Sequence, residues 1–183
     1  MSDTEELYKS FVGTEALATL QKRFQPKLFA GRWEQVMTSY STRFMGTGID
    51  YTSVHAIYKL LPNGAVDVNN YANDANMKPV SIHGISEKRH ILETCRTVKF
   101  DNLPVEGDYW IIYANKRCDA IIVAASLIAR LPMLDPFLVA GNVGLYVLTK
   151  NRSNFWANDV DEIMSVLRKY GFNQFYNAPI VSV

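Results

Sequence analysis

Apolar positions along this chain recur with two different periods. In residues 4–24, Leu17, Leu20 and Phe24 return at the spacing of a helix; Gly13 divides the segment in two and Pro26 ends it. From Gly31 the period becomes two. Trp33, Gln35, Met37 and Ser39 form one face of a first strand, with Glu34, Val36 and Thr38 on the other. A loop at 41–50 leads to a second strand at 51–61, where Val54, Ala56, Tyr58 and Leu60 alternate with His55, Ile57 and Lys59. Pro62-Asn63-Gly64 then supplies the residues a tight hairpin turn requires. Further strands are predicted at 65–71, 81–87, 91–100, 108–113, 118–125 and 144–150. A helix follows at 158–170, with Val160, Ile163, Met164 and Leu167 on one face and Gly171 as its stop, before a short strand at 179–183.

Eight short strands joined by hairpin-length turns predict an all-β protein, an eight-stranded antiparallel up-and-down barrel that leaves no free sheet edge. The helical segment 1–28 precedes it, and residues 29–183 hold the barrel with its C-terminal helix. A barrel of eight strands has room for one small ligand or is filled by its own side chains. Alternation nominates Met37, Val54, Tyr58, Val68, Trp110, Ile112 and Ile122 as inward-facing lining. Strand 108–113 is apolar on both faces, so Tyr109, Ile111 and Tyr113 are the alternative inward set, and a slip of one residue turns any of these outward. Tyr40 and Tyr71, near expected loop ends, are candidates for touching a ligand through their polar tips.

At 183 residues with 48% hydrophobic and 12% aromatic content, the chain has ample material for a core. Nineteen basic against eighteen acidic residues leave a formal charge of +1, which argues against a nucleic-acid partner. The start, Met1-Ser2-Asp3-Thr4-Glu5-Glu6, lacks the basic and apolar regions of a signal peptide. A cytoplasmic or membrane-peripheral location is therefore expected, or a secreted one if a leader has been removed. No apolar run reaches the roughly 18–20 residues of a membrane span.

Catalytic and metal motifs are missing: no Gly-x-Gly-x-x-Gly, P-loop or Gly-x-Ser-x-Gly occurs, and His55, His83 and His90 are isolated. No cofactor and no metal is expected. Cys95 and Cys118 fall on strands separated by one other, so about 9–10 Å lies between the chains. A disulfide needs Cα atoms within about 7 Å, so free thiols are expected. Cys118, beside Arg117, is the one candidate nucleophile, and no histidine stands near it in sequence to act as base.

Four stretches, in order and at matching intervals, resemble the lipocalin family, in particular the branch of bacterial lipocalin, apolipoprotein D and plant temperature-induced lipocalin. Gly31-Arg32-Trp33-Glu34 is similar to the first family motif, and Tyr58 through Tyr71 resembles the second hairpin. Gly107-Asp108-Tyr109-Trp110-Ile111-Ile112-Tyr113 resembles the second motif, and Leu145 through Lys150 the third. The resemblance covers roughly residues 29–178. It implies that Trp33 plugs the closed end of the barrel, and that Gly31, Asp108 and Tyr109 serve the motif structurally. Where the family packs an arginine on that tryptophan, Lys150 aligns here and Arg152 follows two residues later, so either is the candidate cover.

The resemblance also makes the long segment 126–141 an insertion, set at the open mouth. Its Leu131, Met133, Leu134, Phe137 and Leu138 suit a packed lid, a membrane-touching tip or a homodimer contact. The implied function is binding, transport or sequestration of a small hydrophobic ligand such as a fatty acid, lysolipid or pigment-like molecule. The alternatives are an enzyme acting on its bound ligand through Cys118, and a protein- or membrane-interaction module using 126–141.

Overall fold

In the structure, a computed structural model, residues 3–40, 42, 51–89, 91–101, 103, 106–126, 143–174 and 177–183 are described. Two helices, α1 (Asp3–Val12) and α2 (Thr14–Arg23), meet at Gly13, whose φ of 83° suits a residue without a side chain. A single turn, α3 (Pro26–Phe29), starts on a proline whose missing N–H costs a helix nothing at that position. Eight strands then run in sequence: β1 (Gly31–Ser39), β2 (Thr52–Leu60), β3 (Val66–Asn73), β4 (Pro79–Lys88), β5 (Cys95–Phe100), β6 (Glu106–Ala114), β7 (Ala120–Ser126) and β8 (Gly144–Thr149). Every neighbouring pair is antiparallel, and β1 pairs with both β8 and β2, which closes the barrel.

The seam runs through β1. Its first half, from Gly31 to Glu34, pairs with β2, Gly31 opposite Tyr58 and Glu34 opposite His55. Between Gln35 and Met37 the register against β8 shifts, the mark of a bulge. Beyond it, Met37 to Ser39 pair instead with a ninth strand, β9 (Pro179–Val181). The carbonyl of Val183 accepts the Ser53 amide, so the last residues bridge β1 to the start of β2.

The wall carries an apolar cluster on its inner face and, across β5–β8 and β1, a second on its outer face. Inside, Trp33, Ala56, Tyr58, Val66, Val68, Val98, Phe100, Ile111, Ile121, Val123 and Leu148 pack together with Phe24 and Phe29. Outside, Val36, Met37, Trp110, Ile112, Ile122, Ala124, Leu145 and Val147 are covered by Tyr8 and Val12 of α1 and by Phe155, Ile163, Leu167 and Phe172. The last four come from the C-terminal helix, α4 (residues 152–169), and the turn after it. This helix begins six residues earlier than its periodicity predicts. Asn151 caps it by accepting the Asn154 amide, and a π-turn at Phe155–Asp159 inserts the extra residue that puts Phe155 on the same buried face as Ile163 and Leu167. Arg117 holds the π-turn to the β6–β7 hairpin through both Asp159 oxygens, at 2.9 and 2.6 Å. No helix among the described residues is long and apolar enough to cross a membrane.

Of the N-terminal helices, α1 lies along the outer wall, while α2 runs to the packed end, where Leu20 joins the inner cluster and Arg23 meets the β6–β7 turn. The Tyr8 hydroxyl is buried 2.6 Å from Thr94 Oγ1 and 2.9 Å from the Ile111 carbonyl, and Phe11 stacks on Tyr170 of the C-terminal region. Deleting residues 1–24 is expected to bare the face around Trp110 and Ile112, seen as a lower melting temperature and concentration-dependent association in light scattering.

On the outer face of β4, His83 lies between two carboxylates, 2.6 Å from Asp101 and 2.7 Å from Asp67. Its hydrogen bonds to Asp101 and then Asp67 hold its pKa above the ordinary histidine value. The stabilisation from this bridge is therefore fully present below the unfolded value of about 6.5 and is lost as pH rises through the higher folded value. An NMR titration of the His83 ring is expected to show a midpoint above about 6.5, and one at or below it would mean the bridge does not form.

Candidate ligand-binding cavity

The interior divides into a packed half and a hollow half. At the packed end, α3 and the β2–β3 and β6–β7 hairpins gather around Trp33. Its indole Nε1 donates to the Phe29 carbonyl at 2.7 Å, and Phe29 stacks on Tyr58 with ring centroids 4.6 Å apart. The lysine, not the arginine, covers this indole. Lys150 Nζ stands 5.0 Å from the Trp33 ring centre and donates to the carbonyls of Leu28 and Ala30, which end α3. Partial burial lowers its pKa. Arg152 donates instead to the carbonyls of Gln35 and Ser182, tying β1 to the C-terminal strand. Gly31, at φ 109°, stands below the lysine: a Cβ there would lie 3.7 Å from Lys150 Nζ.

Arg96, on β5, also faces the interior and is 1% exposed. Nε donates to Ser86 Oγ at 3.1 Å, Nη1 to the carbonyl and carboxylate of Glu93 at 3.4 and 3.5 Å, and Nη2 to the carbonyls of Gly64 and Ser86 at 3.1 and 3.0 Å. Five acceptors thus meet the five N–H groups of the guanidinium. Burial lowers its pKa, as expected for a cation removed from water.

Above this packing lies a cavity of about 370 Å³, within the range of small-molecule sites. Val54, Ala56, Ala72, Val80, Ile82, Val98, Phe100, Leu103, Ala125 and Leu148 make most of its wall. Gln35, Tyr51, Asn70, Tyr58, Tyr109 and Tyr146 bring polar atoms to it. Tyr58 and Tyr109 share a hydrogen bond, oxygen to oxygen 2.9 Å, just above Phe29. Burial pushes the Tyr58 phenol up to about 12 and holds Tyr109 well above its usual value, so both stay neutral at physiological pH. Gly84 lets β4 approach β5 closely beside it: a Cβ there would lie 2.6 Å from the Lys99 carbonyl and 2.8 Å from the Phe100 ring.

Two of the residues nominated from alternation, Val54 and Tyr58, line this cavity, as does Tyr71, nominated for its place near a loop end. Tyr71 does so from the rim, where it stacks on His55. Val68 faces inward but belongs to the packed half, and Tyr40 is not among the lining side chains. Met37, Trp110, Ile112 and Ile122 do not face the interior; all four are buried on the outer wall. A bulge explains Met37, and a second one turns Tyr113 outward. The one at Gln35/Met37 puts Val36 and Met37 on the same outer side, and another at Ile111/Tyr113 does the same for Ile112 and Tyr113. Trp110, Ile112 and Ile122 reflect the apolar character of both faces: Tyr109 and Ile111 are inward on β6, and Ile121 and Val123 on β7. Ile112 instead borders a separate hollow of about 260 Å³ between α2, α4 and β6. Asp108 sits opposite Thr97 at the mouth end of β6, on the alternate face to Tyr109. Leu131, Met133, Leu134, Phe137 and Leu138 lie outside the described residues, as does His90. Val98 and Phe100 escaped nomination although their own strand shows the alternation; Leu103 carries no such signal, because it stands in a turn.

Cys118 is not on a strand. It occupies the β6–β7 turn at φ 53°, with its thiol donating to the Arg23 carbonyl at 2.9 Å. Burial raises its pKa, and it does not border the cavity. Cys95 is free and buried on the outer wall, its thiol pushed up to about 12 by burial. Neither environment activates a thiolate. No cluster of three or more His, Cys, Asp or Glu among the described residues is placed to hold a metal ion.

An eight-stranded barrel packed at one end around a tryptophan and hollow at the other is the plan of a lipocalin. A model of the Lipocalin-like domain matches residues 26–135, and the chain belongs to that family. No curated protein matches it in sequence. Among solved structures it is similar to lobster apocrustacyanin A1, with a TM-score of 0.61 at 10% identity over 100% of this chain and 86% of that one. The cockroach allergen Per a 4 gives 0.57 at 15% identity, covering 87% of each chain. The siderocalin Ex-FABP gives 0.54 at 11% identity over 82% of this chain and 89% of the other. At such identities the likeness is one of fold.

Trp33→Ala is expected to cost about 3–5 kcal/mol in denaturant unfolding, because no neighbour can fill the space of a buried indole. Both thiols are expected to resist alkylation in the native protein and to react fully in denaturant, which mass spectrometry reads directly.

Proposed function

We propose that this protein binds one small hydrophobic molecule in the hollow half of its barrel, to carry or sequester it. The supporting observation is the cavity itself: space for a small molecule, walled mainly by aliphatic and aromatic side chains, in a chain of the lipocalin-like family. The solved neighbours lend an analogy, since Ex-FABP is described as a siderocalin with dual ligand specificities. Moving a chain of about fourteen methylenes out of water yields about 11 kcal/mol at roughly 0.8 kcal/mol each. Association costs of at least about 4 kcal/mol leave about 7 kcal/mol, a micromolar dissociation constant.

The test is a titration with a neutral apolar fluorophore, N-phenyl-1-naphthylamine. Saturable one-site binding is expected for the wild type, and Ala72→Trp, which fills the hollow from a half-exposed rim position, is expected to weaken it at least about tenfold while keeping the far-UV spectrum. A wild-type protein that gives no saturable signal would show that the hollow is not a binding site.

A further inference from the structure

We infer that the molecule bound here is uncharged, with a hydrogen-bonding group such as an alcohol or amide set against the Tyr58 and Tyr109 hydroxyls, and that carboxylates are rejected. This rests on the binding reading above and narrows it. Among the described residues that line the cavity, none is a lysine or arginine. Arg96, the inward cation among the described residues, stands outside the lining, and its five N–H groups already meet five protein acceptors, with Glu93 beside it as counter-charge. An anion pushed to this depth would find no ion partner among the described residues and would lose its hydration.

Asp108 and His55 also touch the cavity wall, and neither stands at its deep end. Asp108 brings a carboxylate, not a cation, to the mouth end of β6, and His55 lies at the rim, stacked on Tyr71 with Nδ1 2.9 Å from the Ser53 carbonyl. What the deep end offers is neutral. In the Tyr58–Tyr109 pair one hydroxyl donates to the other, leaving one O–H and the lone pairs for a guest. Gln35 uses one amide hydrogen on Ser182 Oγ, which leaves its carbonyl oxygen and other hydrogen. An alcohol or amide satisfies such groups in both directions, whereas a carboxylate can only accept.

Competition against N-phenyl-1-naphthylamine with dodecan-1-ol, dodecanamide and dodecanoate, alike in chain and different in charge, tests this. At pH 7.5 the alcohol and amide are expected to displace the fluorophore at concentrations at least about tenfold lower than dodecanoate. Dodecanoate is expected to gain as pH falls and the acid becomes neutral. Tyr109→Phe and Tyr58→Phe, near-isosteric changes, are expected to weaken the alcohol about fivefold and leave the fluorophore unchanged. Dodecanoate binding as tightly as dodecan-1-ol at pH 7.5 would overturn the inference while leaving the cavity a binding site. Failure of the fluorophore and all three competitors would overturn both.

Discussion

The wall formed by β5–β8 and β1 is kept dry on both of its faces. A strand alternates its side chains between two sides, and on this part of the barrel neither side meets water. The inner face is shared by the aromatic plug and the cavity. The outer face, with Trp110, Ile112, Ile122 and Leu145, needs a cover of comparable extent. It has two: α4 from the end of the chain and the α1–α2 pair from its start. The family match begins at residue 26, after both N-terminal helices, yet Tyr8 of α1 is fully buried against the barrel. These helices are thus part of the fold's hydrophobic economy.

Inside, shape decides where the hollow lies. Large rings gather at one end, with Phe24, Phe29 and Trp33 meeting Tyr58, and a saturated arginine fills the space between β4 and β5. Toward the mouth the inward positions shrink to Val54, Ala56, Ala72 and Ala125, and the same barrel radius is left partly empty. The boundary is the Tyr58–Tyr109 contact, whose buried phenols remain protonated and can neither attract an anion by charge nor serve as bases near neutrality.

Much of this was legible in the chain. Pro62-Asn63-Gly64 marked the β2–β3 hairpin, where Gly64 adopts φ 82°, and the alternation of β2 placed Val54 and Tyr58 correctly on the inner face. The two helical pieces around Gly13 appeared where the apolar spacing put them. The inner face of β6 was not legible, because Tyr109 to Tyr113 are all apolar or aromatic and a bulge breaks the period midway. On β1 the period of two continues in the sequence past the point where the backbone abandons it, which turned Met37 outward. The early start of α4 was hidden for a related reason: a π-turn shifts the phase, so Phe155 does not lie on the stripe extrapolated from Ile163 and Leu167.

The division of β1 between two partners bears on how the chain reaches this state. Residues Met37 to Ser39 find their neighbours only in β8, more than a hundred residues later, and in β9 beyond that. During synthesis this half-strand waits as a bare edge while β2 to β7 zip up hairpin by hairpin. The slowest event should be ring closure over that long loop rather than formation of any hairpin. A nascent chain in that interval would expose Val36 and Met37 without the helix that later shelters them, making it the stage at which a chaperone has most to hold.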